Sequence, residues 1–244
     1  MTQYQYSTTF QAYTTTSNEA SAQRIVALVQ DWLKPQSVVD FGCGQAVWLG
    51  AWQAAGVTDV QGVDGDYVDR DALRVPASQF LATDLAQPID LKRRFDLVEC
   101  LEVAEHIPES ASGTLLNTLT RHGDVLLFSA APPGQGGEHH VNEQPYAWWR
   151  DALAAHGFEL FDCIRPRVAK DPAVQPWYRY NVFLFVRRDH LAQLPDAVRQ
   201  THIPAHAPIP DVSPFRYRLR KKVVKQIPQV LADQLARAKA KLTR

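Results

Sequence analysis

The sequence contains a single methionine, its first residue, and only three cysteines, Cys43, Cys100 and Cys163. An odd number of thiols at wide spacing supports neither a disulfide framework nor a cysteine-rich zinc site, so all three are expected to be reduced and mostly buried. No uninterrupted apolar run approaches the length of a bilayer span, and the N-terminal MTQYQYSTTF lacks the basic-then-apolar order of a signal peptide. The expected location is the cytoplasm. Net charge is also missing, because 26 Lys/Arg balance 26 Asp/Glu. The balance is not local: Phe215 to Arg244 carries ten Lys/Arg against one acid, Asp233. A basic tail is thereby set apart from an acidic remainder.

What is present is 45% apolar residue content over 244 positions, enough for one large core with accessories. From Ser37 to Val186, short apolar runs alternate with longer mixed segments, the pattern of an α/β domain with a mostly parallel sheet. SVVDF (37–41), VQGVD (60–64), FLAT (80–83), FDLVECL (95–101) and DVLLFSA (124–130) read as five buried strands, and FELFDC and YNVFLFV as two more. Ile25, Leu28, Val29 and Leu33 repeat at helical spacing ahead of the first strand, which predicts a helix over 18–34 capped by Ser17 or Asn18. The expected fold is thus a Rossmann-like, seven-stranded sheet with helices on both faces, spanning residues 1–193 with its core at 37–186. Five prolines between Leu194 and Pro214 predict an extended linker over 194–214. Beyond it, 215–244 reads as a basic amphipathic helical tail, with a helix restarting at Pro228.

The stretch DFGCGQAVW lacks something too. A dinucleotide turn requires G-x-G-x-x-G, yet the sixth position counted from Gly42 is Val47. Asp40 is a second departure, since a carboxylate beside the turn suits a cationic ligand better than a pyrophosphate. Gly42 and Gly44 still allow a ligand close to the backbone at a helix N-terminus. Asp64 ends the second strand, where an acid can accept from ribose hydroxyls, and Asp84 ends the third, where one can meet an adenine amino group. Each of these acids is also a plausible turn former or helix cap.

Together DFGCGQA, VQGVDGD, FLATDL and FDLVECLEVAEHI resemble the successive motifs of class I S-adenosylmethionine-dependent methyltransferases over Ser37 to Val186. The resemblance implies S-adenosyl-L-methionine as cofactor. It places the methionine end at Asp40, Gly42 and Gly44, the ribose at Asp64, and the adenine at Asp84 with Leu85. Ala46 stands where many members have a third glycine. ECLEVAEHIP is similar to the acidic-histidine signature of the small-molecule branch, which implies that Glu102 and Val103 border the methionine moiety. Enzymes that methylate exocyclic amines of nucleic acids commonly carry an Asn/Asp-Pro-Pro-aromatic turn there, where this chain has Cys100, Leu101 and Glu102.

A sulfonium methyl is already electrophilic, so such a protein mainly aligns a nucleophile and excludes water. A hydroxyl acceptor also requires a base. The segment GGEHHVNEQPYAWW, behind a flexible PPGQGG loop, supplies His140 and His139 as candidates, with His106 next. Its HHVNEQPYAWW portion resembles a bacterial group of class I methyltransferases linked to sugar and surface-glycan modification. Asn142, Glu143, Trp148 and Trp177 are the candidate acceptor-binding residues, Trp177 from a proline-flanked loop. A metal held by His139, His140 and Glu143 is not expected, because adjacent histidines rarely reach one ion without a third well-placed ligand. The expectation is therefore O-methylation of a small molecule or glycan without a metal. The alternatives are N-methylation of a small amine, or a non-catalytic cofactor-binding module that docks a partner or nucleic acid. The tail admits peripheral contact with an anionic membrane or self-association, with nucleic acid ranked behind because few aromatics interleave its charges.

Overall fold

A computed structural model describes residues 8–228 and 234, with side chains from residue 18 onward. It contains an eight-stranded sheet in the order β3-β2-β1-β4-β5-β7-β6-β8. The five strands expected in the first half are β1 (Ser37–Phe41), β2 (Asp59–Asp64), β3 (Phe80–Ala82), β4 (Leu97–Leu101) and β5 (Val125–Ser129). All five run parallel. The two late runs become β6 (Phe158–Phe161) and β7 (Phe183–Arg187), with β7 antiparallel between β5 and β6. Strands β1, β4 and β5 are buried at every residue, which is why their sequences are continuous apolar runs rather than alternating ones.

Helices cover both faces. On one, α1 (Thr8–Leu33) and α2 (Val47–Ala54) pack Ile25, Val29, Leu49 and Trp52 against Val38 and Leu97. On the other, α3 (Ser112–His122) and α4 (Tyr146–Ala155) pack Leu115, Leu119, Trp149 and Leu153 against Val39, Val98 and Phe128. Helix α1 continues through Ser17 and Asn18, which therefore do not cap it. No glycine or proline interrupts residues 8–33, and the helix stops at Lys34, whose φ of 49° closes it before Pro35.

Three further expectations are corrected. Residues 194–203 are not an extended linker. After the one-turn helices α5 (Arg165–Val168) and α6 (Pro176–Asn181), a short α7 (Asp196–Arg199) buries Val198, and β8 (His202–Ile203) pairs antiparallel with β6 to make the eighth strand. Pro195 and Pro204 flank these elements instead of holding the chain extended. Trp177 lies inside α6 rather than on a loop. The start of the basic tail is not a detached object either: α8 (Phe215–Val224) lies against the loop that follows β5. There Arg220 donates to the Gln135 carbonyl at 2.9 Å, and Lys221 pairs with Asp211 at 2.7 Å. A β-carbon on Gly134 would stand 2.1 Å from the Lys221 carbonyl oxygen, so that glycine is what allows the contact. The helix expected from Pro228 onward lies almost wholly outside the described residues.

Candidate active site

The sheet reverses direction of winding at β1, which has β2 on one side and β4 on the other. Open α/β sheets bind ligands beyond the carboxyl ends of the strands at such a point. Here β1 ends in Asp40 and Phe41 and turns through Gly42 and Gly44, with φ of 90° and 52°. Ala46, with φ of 61°, holds the left-handed position that precedes α2, a conformation glycine adopts without strain. The Gly42 amide donates to the Val63 carbonyl at 2.7 Å, and the Gly44 amide to Asp64 Oδ2 at 2.7 Å. Asp64 Oδ1 accepts from the Gly65 amide and the Tyr67 hydroxyl.

Three carboxyl groups are buried around this turn. Burial, reinforced by the charge of Asp64, pushes the Asp40 pKa up to about 7. Burial raises Asp64 as well, against the three donors that it engages. Burial and then Asp40 drive Glu99, on β4, well above the carboxylate range, and its Oε1 accepts from Trp52 Nε1 at 2.8 Å. A buried acid held near neutrality is stabilised in its ionised form by a cation. The turn therefore fits a cationic ligand such as S-adenosylmethionine. Asp84 is exposed and its Oδ1 caps the Ala86 amide, while Leu85 is buried beneath it.

Past β4 the chain makes a tight turn in which Glu102 takes a φ of 56°, and its amide donates to Ser129. Glu102 is half-buried and its carboxylate accepts from Gln135 at 2.6 Å and Asn181 at 3.2 Å. Asn181 also donates to Gln135 and accepts from the Tyr146 hydroxyl at 2.7 Å. Val103 then abuts Gly42. A 3-10 turn, Ala104–His106, follows and carries Glu105 and His106 into contact with the histidine loop.

In that loop Glu143 is a staple. Its carboxylate accepts from the Gly134 and Gly136 amides, both at 2.7 Å, and meets His140 Nδ1 at 2.8 Å. Asn142 is buried and donates to the Ala104 carbonyl and Ser112 Oγ, so its side chain fixes the loop rather than facing an acceptor. His106 Nδ1 lies 3.1 Å from the His139 carbonyl, and its ring packs edge-on to His140 at 4.8 Å. Burial, then the neighbouring His140, holds His106 well below the ordinary histidine range. Glu105 is fully buried, and neither of its carboxylate oxygens makes a well-formed hydrogen bond among the described residues, although the Glu105 and Ala131 backbone amides lie near enough to favour its charged form. Ligand atoms of Glu105, His106 and His140 all lie within 4.8 Å of one another.

The structure thus brings together Asp40, Gly42, Gly44, Asp64, Glu102 and Val103 on one side, and His106 and His140 on the other. His139 contributes its backbone carbonyl, at a φ of 60°. Trp148 packs edge-on against Trp149 on α4, and Trp177 packs beside the core near Tyr178. Glu105 and His106, rather than His139 and Glu143, are the groups that lie with His140 as potential ligands. Sequence reasoning missed Glu105, Gln135, Asn181 and Tyr146. Glu105 alone had a signal, its place beside His106 in the VAEHI motif.

Residues 13–163 match the family model described as a methyltransferase domain. That is more than half of the chain, which belongs to this family and is a class I S-adenosylmethionine-dependent methyltransferase. Among curated proteins, the chain is 30% identical over 160 residues to a ubiquinone biosynthesis O-methyltransferase of Ralstonia nicotianae, covering 59% of this chain and 60% of that protein. It is 27% identical over 156 residues to a protein of the same description from Pseudomonas syringae pv. tomato, covering 55% and 60%. The chain thus spans about three-fifths of the length of these relatives. Solved structures share the fold. A sugar N-methyltransferase from Streptoalloteichus superposes with a TM-score of 0.53 at 20% identity, over 69% of this chain and 87% of that one. Magnesium protoporphyrin IX methyltransferase from Synechocystis gives 0.52 at 22% identity, over 76% and 86%.

Proposed function

We propose that this methyltransferase O-methylates a hydroxyl of a small molecule or glycan. The observation that carries the reading is that Val103, pressed against the cofactor turn at Gly42, is followed within three residues by Glu105 and His106, which meet His140. An acceptor held over this cluster faces the position of the transferable methyl. The cofactor supplies an electrophilic methyl group when bound. The chain must align the hydroxyl with it, take up the charge that develops as the proton leaves, and keep water out. Glu105, His106 and His140 supply the polar atoms for the second task. Helix α8, lying across Gly134 to Gly136, supplies cover for the third. The relatives described as O-methyltransferases support a hydroxyl acceptor.

The outward side of α8 adds to the reading. Phe215, Leu219 and Val223 form an exposed stripe at helical spacing, flanked by Arg216, Arg218 and Lys222. This pattern suits contact with an anionic membrane surface, and so an acceptor carried on lipid.

The direct test is transfer of labelled methyl from S-adenosylmethionine to a panel of sugars, phenols and amines. Methylation of hydroxyl acceptors, lost on replacing His106 and His140 together, is expected. Amines methylated in place of hydroxyls would overturn the reading.

A further inference from the structure

We propose that Glu105, His106 and His140 form a binding site for one divalent transition-metal cation, which orients and polarises the acceptor oxygen. The inference rests on the reading of this site as the acceptor-facing centre.

The first observation is convergence. A carboxylate and two imidazoles, from two segments more than thirty residues apart in sequence, place one ligand atom each within 4.8 Å of the others. A mixed imidazole and carboxylate set suits Mn, Fe, Co or Zn, and three protein ligands leave positions for water or substrate oxygen. The second observation is independent of that spacing. Glu105 is fully buried and neither oxygen makes a well-formed hydrogen bond among the described residues, with just the Glu105 and Ala131 backbone amides nearby to favour its charge, although burying a poorly satisfied carboxyl is costly. A cation at the cluster would satisfy it.

The third observation is the orientation of the rings. His106 Nδ1 faces the His139 carbonyl and His140 Nδ1 faces the Glu143 carboxylate. Both partners are acceptors, so each Nδ1 carries a proton, and Nε2 is the nitrogen through which a neutral ring would ligate. Metal-ligating histidines are fixed in this way by a carbonyl or carboxylate on their other nitrogen. The same carboxylate of Glu143 ties down Gly134 and Gly136, so the loop that delivers His140 is held by the group that sets its tautomer. Gly137 lies so close that a β-carbon on it would stand 2.0 Å from His140 Nε2, so a side chain there would crowd that nitrogen.

The test uses full-length protein stripped with a chelator and titrated with Mn²⁺, followed by loss of the free-ion electron paramagnetic resonance signal. One ion per chain is expected. Glu105→Gln and His140→Ala should weaken binding by at least about tenfold, and Glu143→Gln, through His140, by about tenfold or more. Retained S-adenosylhomocysteine binding shows that a variant is folded. Should the variants fail to fold, the wild-type protein decides: Mn²⁺ should broaden the His106 and His140 ring-proton resonances before those of His156, His190, His202 and His206. No saturable Mn²⁺ binding in a chain that binds S-adenosylhomocysteine, unchanged binding in folded ligand variants, or broadening that spares His106 and His140 would each overturn the cation site. Chelator-resistant methylation of a hydroxyl acceptor without ion binding would remove the cation and leave the methyl-transfer reading standing.

Discussion

A β-carbon placed on Gly42 would lie 2.2 Å from Cγ2 of Val103. These two residues join the two halves of the site, because Gly42 turns the chain at the end of β1 and Val103 leads from β4 into the turn bearing Glu105 and His106. Gly42 also has a φ of 90°, where an L side chain is strained. Gly42→Ala should therefore cost about 1–3 kcal/mol of stability and reduce S-adenosylmethionine affinity at least tenfold. Calorimetry alongside a thermal melt checks both.

Asp40 makes the same turn sensitive to pH. Burial, then the charge of Asp64, pushes its pKa up to about 7 from the ordinary 3.8. Between these values the folded chain holds a proton that the unfolded chain has lost, so this group's contribution to stability falls as pH rises through the window. A cationic ligand favours the ionised form. Affinity for S-adenosylmethionine should thus weaken as pH drops below about 7 and level off above it. Asp40→Asn should bind weakly with a flat profile, and should stabilise the cofactor-free protein at pH 8 relative to wild type. Titrations across the window, with melts of both proteins, test the sign.

Gly137 separates the acceptor step from cofactor binding. A β-carbon on it would stand 2.0 Å from His140 Nε2, and its backbone is not in the left-handed region. Gly137→Ala should abolish most methyl transfer while leaving S-adenosylhomocysteine affinity within about twofold of wild type, a separation read by pairing a turnover assay with calorimetry.

The exposed stripe on α8 predicts salt-sensitive co-sedimentation with vesicles containing phosphatidylglycerol. Replacing Phe215, Leu219 and Val223 together by serine should reduce the bound fraction severalfold without lowering the melting temperature, because none of the three is buried. Equal sedimentation of wild type and variant would refute a role for this face.

A buried pair braces the far side of the site. Arg165, fully buried, bonds Asp162 through two nitrogens at 2.8 and 2.7 Å and stacks 4.0 Å above Phe183. Arg165 also donates to the Tyr180 carbonyl beside Asn181. Asp162→Ala leaves that guanidinium without its counter-charge and should cost about 3–5 kcal/mol, measurable by denaturant unfolding.

Much of this architecture is visible in sequence order. SVVDF becomes β1 at the expected residues, and the other apolar runs become strands with ends displaced by a few residues. Strands buried on both faces leave an unmistakable local pattern, and an acid before two glycines marks the turn. What escapes the sequence are contacts between distant segments. Glu102 and Asn181 are 79 residues apart, and neither Asn181 nor Gln135 stands in a motif that announces its partner. β8 is two residues long, too short for any periodicity, and its flanking prolines read as linker. In α8 the dense positive charge masked the inward side, where Tyr217 packs on Tyr180 and Lys221 is buried against Asp211. Asn142 and Glu143 look like acceptor ligands in a polar loop, and only the fold shows that they hold that loop in place.

The central claim is that a methyl group passes from S-adenosylmethionine to an oxygen positioned by Glu105, His106 and His140. The most direct measurement is carbon-13 nuclear magnetic resonance of the product formed from methyl-labelled S-adenosylmethionine and acceptors bearing both hydroxyl and amino groups. The account predicts an O-methyl ether resonance from wild-type protein, lost in Gly137→Ala with cofactor binding preserved. An N-methyl resonance alone, or no transfer by a chain saturated with cofactor, would contradict it.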